Sequence, residues 1–354
     1  MSGKISSSQV IRRLTENNIP YAELTLQNGV SVFISQLGGR ILGPFLDKES
    51  ESIFWLNDAW GEERAFQKMM ASDWNYGGDR LWVGPEIQYL CRNRKDYWNT
   101  GFIPPEMDPG HWTLEQAGKD QWRLSQDMTL EAFNLTEGKK ELRMEAVINP
   151  VPDPLRLLSN YRDLYEGVIY AGYEEVVTLT ERQHDDILST TWNVIQLRPG
   201  GNILIPTVPC VEITDYMEPI NSSFQTIHPD HVSLRITGNR QYKTGYKSAH
   251  VTGRMAYFHH FDRKQAYLIV RNFYNNPSSI YPEEPPEMPG RRGDSIFIYN
   301  DDGALGGFGE MECMGQTIGG VTAKSSSTDP MALWIYKGPS KKLRMIISHL
   351  LGQY

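Results

Sequence analysis

The sequence has little of what marks disulfide-bonded, metal-dependent or cofactor-dependent proteins. Its 354 residues include only three cysteines, Cys91, Cys210 and Cys313. Their odd number and wide separation argue against a disulfide framework, and their spacing matches no zinc-ligand motif. The sequence therefore indicates no metal and no cofactor, and it fits a reducing compartment.

Long apolar runs are absent as well. No apolar stretch reaches the length of a membrane-spanning helix. Residues 1–14 are polar and carry Lys4, Arg12 and Arg13, without the apolar segment of a secretory signal. We therefore expect a cytoplasmic protein with no membrane partner, the alternative being that a leader has been removed.

The chain also lacks an excess of positive charge. It has 35 Lys and Arg residues against 43 Asp and Glu residues, which gives a formal charge of -8 at pH 7. Without a basic stripe interleaved with aromatic residues, the surface cannot neutralise a phosphate backbone. Nucleic acid is therefore not an expected partner, and no part of the sequence indicates an oligomeric state.

Helical periodicity is rare, whereas alternation of apolar and polar residues is common. A short helix is expected at about 7–17, and a second at 154–165. Residues 21–26 and 30–35 alternate around Asn28-Gly29, which is a strong hairpin signal. Further strand-like runs are at 36–45, 53–57, 111–114, 122–124, 142–148, 174–181, 191–197, 232–236, 254–261, 266–273, 295–299, 308–314, 332–336 and 342–349.

This pattern predicts an all-β protein. So many strands would curl or split as one sheet, so we expect a β-sandwich of two large, mostly antiparallel sheets. A chain of this length could form one large β domain or two ordinary ones. Because we find no repeat and no shift in composition, and residues 281–290 read as a loop, we predict a single domain over 1–354.

The segment at residues 75–88 combines glycines and a proline with charged and aromatic side chains. It carries Asp79, Arg80, Trp82 and Glu86, and its glycines and proline predict an irregular segment rather than a central strand. An indole can cover the apolar face of a sugar ring, and charged groups can bind its hydroxyls. The alternative is a tight turn with a structural Arg–Glu pair and a core tryptophan.

Several motifs, in the right order, resemble the galactose mutarotase (aldose 1-epimerase) superfamily. They are Leu-Gly-Gly-Arg-Ile-Leu at 37–42, Phe-Trp-Leu-Asn at 54–57, Thr-Thr-Trp-Asn-Val-Ile-Gln-Leu at 190–197 and Gly-Glu-Met-Glu-Cys-Met-Gly at 309–315. Tyr-Pro at 281–282 and Lys-Thr-Gly at 243–245 look closer to an uncharacterised bacterial branch. The resemblance implies the mutarotase-like β-sandwich and a site that binds sugars.

The resemblance also implies roles for individual residues. Glu312 matches the general base at the anomeric hydroxyl, although as a strand residue it could instead point into solvent with Glu310. Mutarotation also requires an acid at the ring oxygen. Where the family has histidines this chain has Trp82 and Trp192, which can stack on a sugar but cannot deliver a proton. The histidines at 184, 259 and 260 read as a solvated turn and core positions rather than substitutes.

Substrate-binding roles are expected for a set of side chains near these motifs, namely Asp79, Arg80, Trp82, Glu86, Trp192, Asn193 and Lys243. If Arg80 and Lys243 point into one cavity, an acidic sugar such as a uronate suits them. If they do not, Lys243 is a solvated lysine beside a turn. The expected ligand is a monosaccharide or short oligosaccharide, neutral or acidic.

Three functions remain open at this stage. The first is a sugar epimerase or isomerase with Glu312 as base and a non-standard acid. The second is a non-catalytic sugar-binding module or sensor, which the missing histidines favour. The third is a polysaccharide lyase or hydrolase, since such enzymes share large sheet architectures and Asp79, Glu86 and Glu312 supply carboxylates.

Overall fold

A computed structural model describes residues 4–352, and β-strands are its main secondary structure, with 44% of residues in strands and 18% in helices. The helices are α1 (Ser7–Glu16), α2 (Glu63–Ser72), α3 (Glu86–Tyr89), α4 (Tyr97–Thr100), α5 (Tyr161–Leu164) and α6 (Ser340–Leu351). The strands are β1 (Tyr21–Thr25), β2 (Ser31–Ser35), β3 (Arg40–Phe45), β4 (Asp79–Gly84), β5 (Thr113–Gly118), β6 (Gln121–Ala132), β7 (Gly138–Pro150), β8 (Ile169–Glu181), β9 (Ser189–Leu197), β10 (Asn202–Pro206), β11 (Ile213–Asp215), β12 (Gln225–Ile227), β13 (His231–Arg235), β14 (Tyr242–Lys247), β15 (Arg254–His260), β16 (Gln265–Phe273), β17 (Asp294–Asn300), β18 (Gly309–Ile318) and β19 (Ser326–Pro339).

The strands form two large sheets packed face to face. A nine-stranded sheet has the order β1-β2-β3-β4-β9-β18-β17-β14-β11, and a ten-stranded sheet has the order β12-β13-β10-β15-β16-β19-β8-β7-β6-β5. Neighbouring strands pair antiparallel, for example β4 with β9 and β9 with β18. The predicted all-β sandwich of two antiparallel sheets is confirmed.

The hairpin predicted around Asn28-Gly29 joins β1 to β2. Tyr21 pairs with Ser35 and Thr25 with Ser31. Asn28 has φ 58° and Gly29 has φ 72°, values that asparagine and glycine adopt at low cost. The Asn28 amide also donates to the Tyr170 carbonyl at 2.7 Å, which fastens the hairpin to β8 of the opposite sheet.

The main hydrophobic core lies between the sheets. It includes Leu24 and Ile34 from the N-terminal hairpin, Ile195 from β9, and Leu333 and Ile335 from β19. Strands β7 and β8 alternate between buried and more exposed positions, because only one face packs on this core. In contrast, β9 is buried at every position, so both of its faces are covered.

The structure confirms only part of the helix prediction. Helix α1 is confirmed, and its N-cap is Ser6. Only Tyr161–Leu164 of the predicted helix at 154–165 is helical, and residues 281–290 form no strand or helix, as predicted. Among residues 4–352, none of the helices is long and apolar enough to span a bilayer.

The strand predicted at 342–349 is wrong, because this segment lies in helix α6. Its buried residues Leu343, Ile346, Ile347 and Leu350 recur at helical spacing. They pack against the outer face of the ten-stranded sheet, in one cluster with Phe258 on β15 and with β16 and β19. Tertiary packing of this apolar stripe, rather than alternation, decides the structure of the segment.

The irregular segment predicted at 75–88 is also partly wrong, because its middle is strand β4 in the interior of the nine-stranded sheet. The glycines flank this strand instead of interrupting it. Gly77 has φ 92° and Gly78 has φ 86°. A Cβ at Gly77 would lie 2.5 Å from the Trp55 carbonyl oxygen, so glycine is needed where the chain enters β4.

Candidate functional site

The alternation of side chains along β4 divides its residues between two environments. Asp79 points toward the ten-stranded sheet, where the Tyr173 hydroxyl donates to its Oδ2 at 2.6 Å. Arg80 and Trp82 therefore point to the opposite face of the nine-stranded sheet, which we call the outer face. Asn193 donates to Asp79 Oδ1 at 2.8 Å and so lies on the inner side with it.

Strand register places four of the predicted site residues together on this outer face. Trp82 is directly opposite Trp192 on β9. Val194, two residues along β9, is opposite Glu312 on β18. Arg80, Trp82, Trp192 and Glu312 therefore meet on one face, although more than half of the chain separates the first from the last. We call this group, with Lys243, the outer-face cluster.

A row of indole rings runs along the cluster. The Trp74 and Trp82 ring centroids are 5.3 Å apart at 62°, and those of Trp82 and Trp192 are 5.3 Å apart at 75°. The Arg80 guanidinium carbon lies 4.1 Å from the Trp82 ring centroid and 5.0 Å from that of Trp74. Such cation–π contacts hold the guanidinium against the rings.

Glu312 is fully buried at the end of this row. Its Oε2 accepts a hydrogen bond from Trp192 Nε1 at 2.9 Å and lies 3.2 Å from Lys243 Nζ. Its Oε1 has no hydrogen-bond partner among the described residues. Burial raises the pKa of Glu312 to about 7, against the opposing effect of the Lys243 charge and with a further increase from Glu310. A carboxylate in this range can accept or release a proton near neutral pH.

Lys243 on β14 joins Glu312 to a second carboxylate. Its Nζ donates to Glu86 Oε2 at 2.7 Å and lies 4.8 Å from the Trp192 ring centroid. Burial by itself would lower the pKa of Lys243, but Glu312 and Glu86 together hold it above its ordinary value. Lys243 is therefore a buried, charged group rather than a solvated lysine.

Glu86 is the first residue of helix α3, and it forms hydrogen bonds with two further residues. The Tyr97 hydroxyl donates to its Oε1, and its backbone N–H donates to Glu283 Oε2. Glu283 also accepts from the Ile87 N–H at 3.2 Å, so it caps the start of this short helix. Burial and the nearby Glu86 carboxylate raise the pKa of Glu283 to about 8.

Arg80 has a carboxylate partner, but only some of its hydrogen-bond donors are paired. Its Nη2 donates to Glu310 Oε1 at 2.9 Å, and Glu310 also accepts from Gln196 at 3.2 Å. Within residues 4–352, neither Nε nor Nη1 of Arg80 has a hydrogen-bond partner, although the residue is only 1% exposed. The outer-face cluster thus contains donors on Arg80 and an acceptor on Glu312 that the protein leaves unpaired.

Asp79 and Asn193, which the sequence groups with these residues, do not belong to the cluster. Asp79 Oδ2 pairs with Arg271 on β16 at 2.6 Å, and Arg271 also lies 3.4 Å from Glu175 on β8. Asp79 and Asn193 are both on the inner side, because each is one position from an outer-face residue and adjacent side chains on a strand point to opposite faces. The Asp79 contacts join the two sheets and Asn193 donates to Asp79, so we leave both residues out of the candidate site.

The outer-face cluster is enclosed. The cavity at its edge has a volume of about 10 Å³ and is lined by Glu86, Tyr97, Tyr216, Met217, Lys243 and other residues of the loops above the sheet. This is far smaller than the roughly 300–1,000 Å³ of typical ligand sites. A ligand could therefore reach Glu312 only if the covering loops move outward.

A much larger groove of about 970 Å³ lies along β6 and β7, between side chains that include Arg92, Glu106, Asp127 and Arg182. None of the sequence-predicted site residues lines it. Asp127 and Arg182 pair with each other at the surface. Of the described residues in its lining, none has a buried polar atom without a partner, so we place the candidate site at the outer-face cluster.

No group of three or more His, Cys, Asp or Glu side chains within residues 4–352 is arranged to hold a metal ion.

Comparison with known protein families identifies the family of this chain. The model of a family of unknown function, DUF6786, matches residues 12–353. The chain belongs to this family. No curated protein matches the sequence of this DUF6786 member.

Solved structures resemble the DUF6786 chain in fold. A candidate aldose 1-epimerase from Escherichia coli K12 matches with a TM-score of 0.53 and 10% identity, over 90% of this chain and 99% of that one. A galactose mutarotase-like protein from Lactobacillus casei ATCC 334 matches with a TM-score of 0.42 and 12% identity, over 90% and 100%. The likeness to the Escherichia coli protein shows that the DUF6786 chain has the fold of aldose 1-epimerase-like proteins, the mutarotase-like β-sandwich that its motifs predict.

The sequence analysis does not identify three residues that surround the candidate site. Glu310 could have been found, because its spacing of two from Glu312 puts both on the same face of a strand. Glu283 lies in a Pro- and Glu-rich stretch that reads only as a loop. Tyr97 is in a short helix whose relation to Glu86 depends on the path of the chain. No local signal points to the last two.

Proposed function

We propose that this chain is a carbohydrate-binding protein and that the outer-face cluster is its sugar site. The observation that carries the proposal is the set of unpaired buried polar atoms beside a row of indoles: Nε and Nη1 of Arg80 and Oε1 of Glu312. A buried polar atom without a partner costs about 1–3 kcal/mol. A ligand with both hydroxyls and apolar C–H faces would satisfy these atoms and cover the rings.

The charges of the cluster favour a neutral sugar over a uronate. Arg80 already pairs with Glu310, and Lys243 already contacts both Glu86 and Glu312. A sugar carboxylate would add a negative charge beside carboxylates that have no spare cation. Arg80 and Lys243 would suit an acidic ligand only if they lacked their present carboxylate partners.

Calorimetry tests the binding proposal. Galactose, glucose and mannose, with their uronates, would be titrated into the wild-type protein and the Arg80→Ala variant. We expect a neutral sugar to bind and Arg80→Ala to weaken it by about tenfold or more, because charged hydrogen bonds contribute about 1.5–3 kcal/mol. The exposed Arg162 provides a matched control, Arg162→Ala, which should bind like the wild type. No heat with any sugar, or unchanged affinity in Arg80→Ala, would refute the proposal.

A second candidate function is sugar epimerisation at the anomeric carbon, favoured by the state of Glu312. A carboxyl with a pKa near 7 and one unpaired oxygen can act as a base at neutral pH. The positive charge of Lys243, 3.2 Å from Glu312, could stabilise negative charge that develops on the ring oxygen. Lys243 would then act in place of the missing histidine, mainly through its charge.

We expect galactose mutarotation by this chain to be slow. A positioned general acid typically contributes about 10²–10⁴-fold, and a lysine with a raised pKa releases its proton reluctantly. Glu312→Gln keeps the shape of the side chain but removes the base, so it should abolish residual turnover and change affinity by less than about threefold. Polarimetry on freshly dissolved galactose measures the rate. Fast mutarotation that survives Glu312→Gln would show that Glu312 is not the base.

A further inference from the structure

Trp98 is the one strongly exposed tryptophan among residues 4–352, with 65% of its surface accessible, whereas the others are buried or half-buried. It lies next to Tyr97, and the two rings meet edge to face with centroids 5.2 Å apart at 86°. This arrangement leaves the Trp98 indole open to water. Its position connects it to the outer-face cluster, because Tyr97 donates to Glu86, which pairs with Lys243.

The segment that carries Trp98 is held by hydrogen bonds at its two ends. Cys91 and Gly101 form an isolated β-bridge, and the Thr100 hydroxyl donates to the Asn93 carbonyl at 3.0 Å. The Asn134 amide donates to the Cys91 carbonyl at 2.6 Å. An exposed side chain on a segment held in this way is pre-organised, which lowers the entropy lost when it binds a ligand.

The same segment is tied to the opposite rim of the small cavity. Arg94 pairs with Glu284 and donates to the carbonyls of Pro285 and Pro286 at 2.8 Å and 2.9 Å. Tyr97 and Pro286 both line that cavity, together with Glu86 and Lys243. Trp98 is thus the exposed neighbour of a residue that lines the small cavity beside Lys243.

We propose that Trp98 is an outer subsite that stacks on the second sugar ring of an oligosaccharide whose first ring occupies the outer-face cluster. This inference rests on the proposed function and extends it, because it makes a chain of at least two sugars, rather than a monosaccharide, the preferred ligand. An indole binds a sugar ring through its apolar face and needs no charge on the sugar. Chain length is therefore the property that Trp98 reads.

Calorimetry with ligands of increasing length tests the subsite. The probes are galactose, galactobiose and galactotriose, and glucose, cellobiose and cellotriose, titrated into wild type, Trp98→Ala and a control variant. Phe261→Ala is the matched control, since Phe261 is a large, 46% exposed aromatic residue between β15 and β16 of the other sheet. Thermal unfolding monitored by circular dichroism verifies that each variant is folded.

We expect the wild type to bind the disaccharide at least about fivefold more tightly than the monosaccharide of the same series. Trp98→Ala should remove this gain and leave monosaccharide affinity unchanged, Trp98→Phe should retain part of it, and Phe261→Ala should keep it whole. A monosaccharide that binds with no gain on lengthening, or a gain that survives Trp98→Ala, would overturn the subsite alone. Failure of every sugar to bind would overturn the proposed function and the subsite with it.

Discussion

At the scale of single residues, the cluster is defined by carboxylates gathered around one lysine. Glu312 and Glu86 contact Lys243 directly, and Glu283 lies behind Glu86. Burial makes ionisation costly, and a single lysine cannot compensate for three carboxylates. The pKa values of Glu312 and Glu283, about 7 and about 8, are therefore raised, and both groups keep protons near neutral pH that they would lose in the unfolded chain.

The raised pKa of Glu283 predicts how stability depends on pH. In the unfolded chain Glu283 ionises near its ordinary value of 4.5, but in the folded protein only near 8. Between these values the unfolded state binds fewer protons, so the free energy of unfolding falls as pH rises. Glu283→Gln removes this loss. We expect the difference in free energy of unfolding, variant minus wild type, to increase by about 1 kcal/mol or more from pH 5 to pH 8.

Urea denaturation of both proteins at pH 5, 6.5 and 8 measures this difference. Glu287→Gln is the control, because Glu287 is an exposed residue of the same loop and undergoes the same Glu-to-Gln replacement. A constant difference across the pH range would contradict the account of Glu283.

Glu312 should control the pH dependence of any epimerase activity. A base must be ionised to act, so the rate constant kcat/KM should rise with pH and reach half its plateau near pH 7. Polarimetry at pH 5 to 9, corrected for catalysis by buffer, gives the profile. A rate that is flat between pH 5 and 8 would assign the base to another group.

At the scale of elements, strand β4 carries a structural residue and a residue of the proposed binding site at adjacent positions. Asp79 faces inward and forms an ion pair with Arg271 in which both side chains are fully buried. Arg80 faces outward into the cluster. One strand therefore both joins the two sheets and presents the site, which makes the position of Arg80 depend on the packing beneath it.

Replacing Asp79 should affect stability much more than replacing an exposed aspartate. Asp79→Ala leaves the buried Arg271 with the more distant Glu175 as its carboxylate partner, and breaking a buried pair in this way costs about 3–5 kcal/mol. Asp127→Ala breaks exposed pairs with Arg143 and Arg182 and should cost no more than about 1 kcal/mol. Chemical denaturation compares the two variants. Similar losses would mean that the inter-sheet pair contributes little.

At the scale of the whole molecule, one core connects the ends of the described chain. The same cluster contains Ala22 and Leu24 of β1 and Leu333 and Ile335 of β19. The side chains of Gln27 and Asn28 reach the opposite sheet, at Val151 and Tyr170. This continuity supports our proposal that residues 1–354 fold as a single domain.

A single domain should unfold in one cooperative transition. Secondary structure measured by far-ultraviolet circular dichroism and tertiary structure measured by tryptophan fluorescence should give coincident curves in urea. Two resolved transitions, or curves with different midpoints, would indicate that the sheets or their halves unfold as separate units.

The sequence by itself determines the fold class and part of the site. Alternation of apolar and polar residues is local, so it predicts strands, the Asn28-Gly29 hairpin and two antiparallel sheets. The motifs around Arg80, Trp192 and Glu312 point to the strands that carry the cluster. Spacing within one strand also relates Glu310 to Glu312.

Only the tertiary structure decides which face of the sheet each side chain occupies and what covers it. The register between β4 and β9 sets Trp82 against Trp192 and turns Asp79 and Asn193 inward. The loops above the sheet bring Glu283 to Glu86 and close the cavity. These contacts join residues far apart in the chain, and local propensity carries no information about such pairs, because their formation depends on how the whole chain packs.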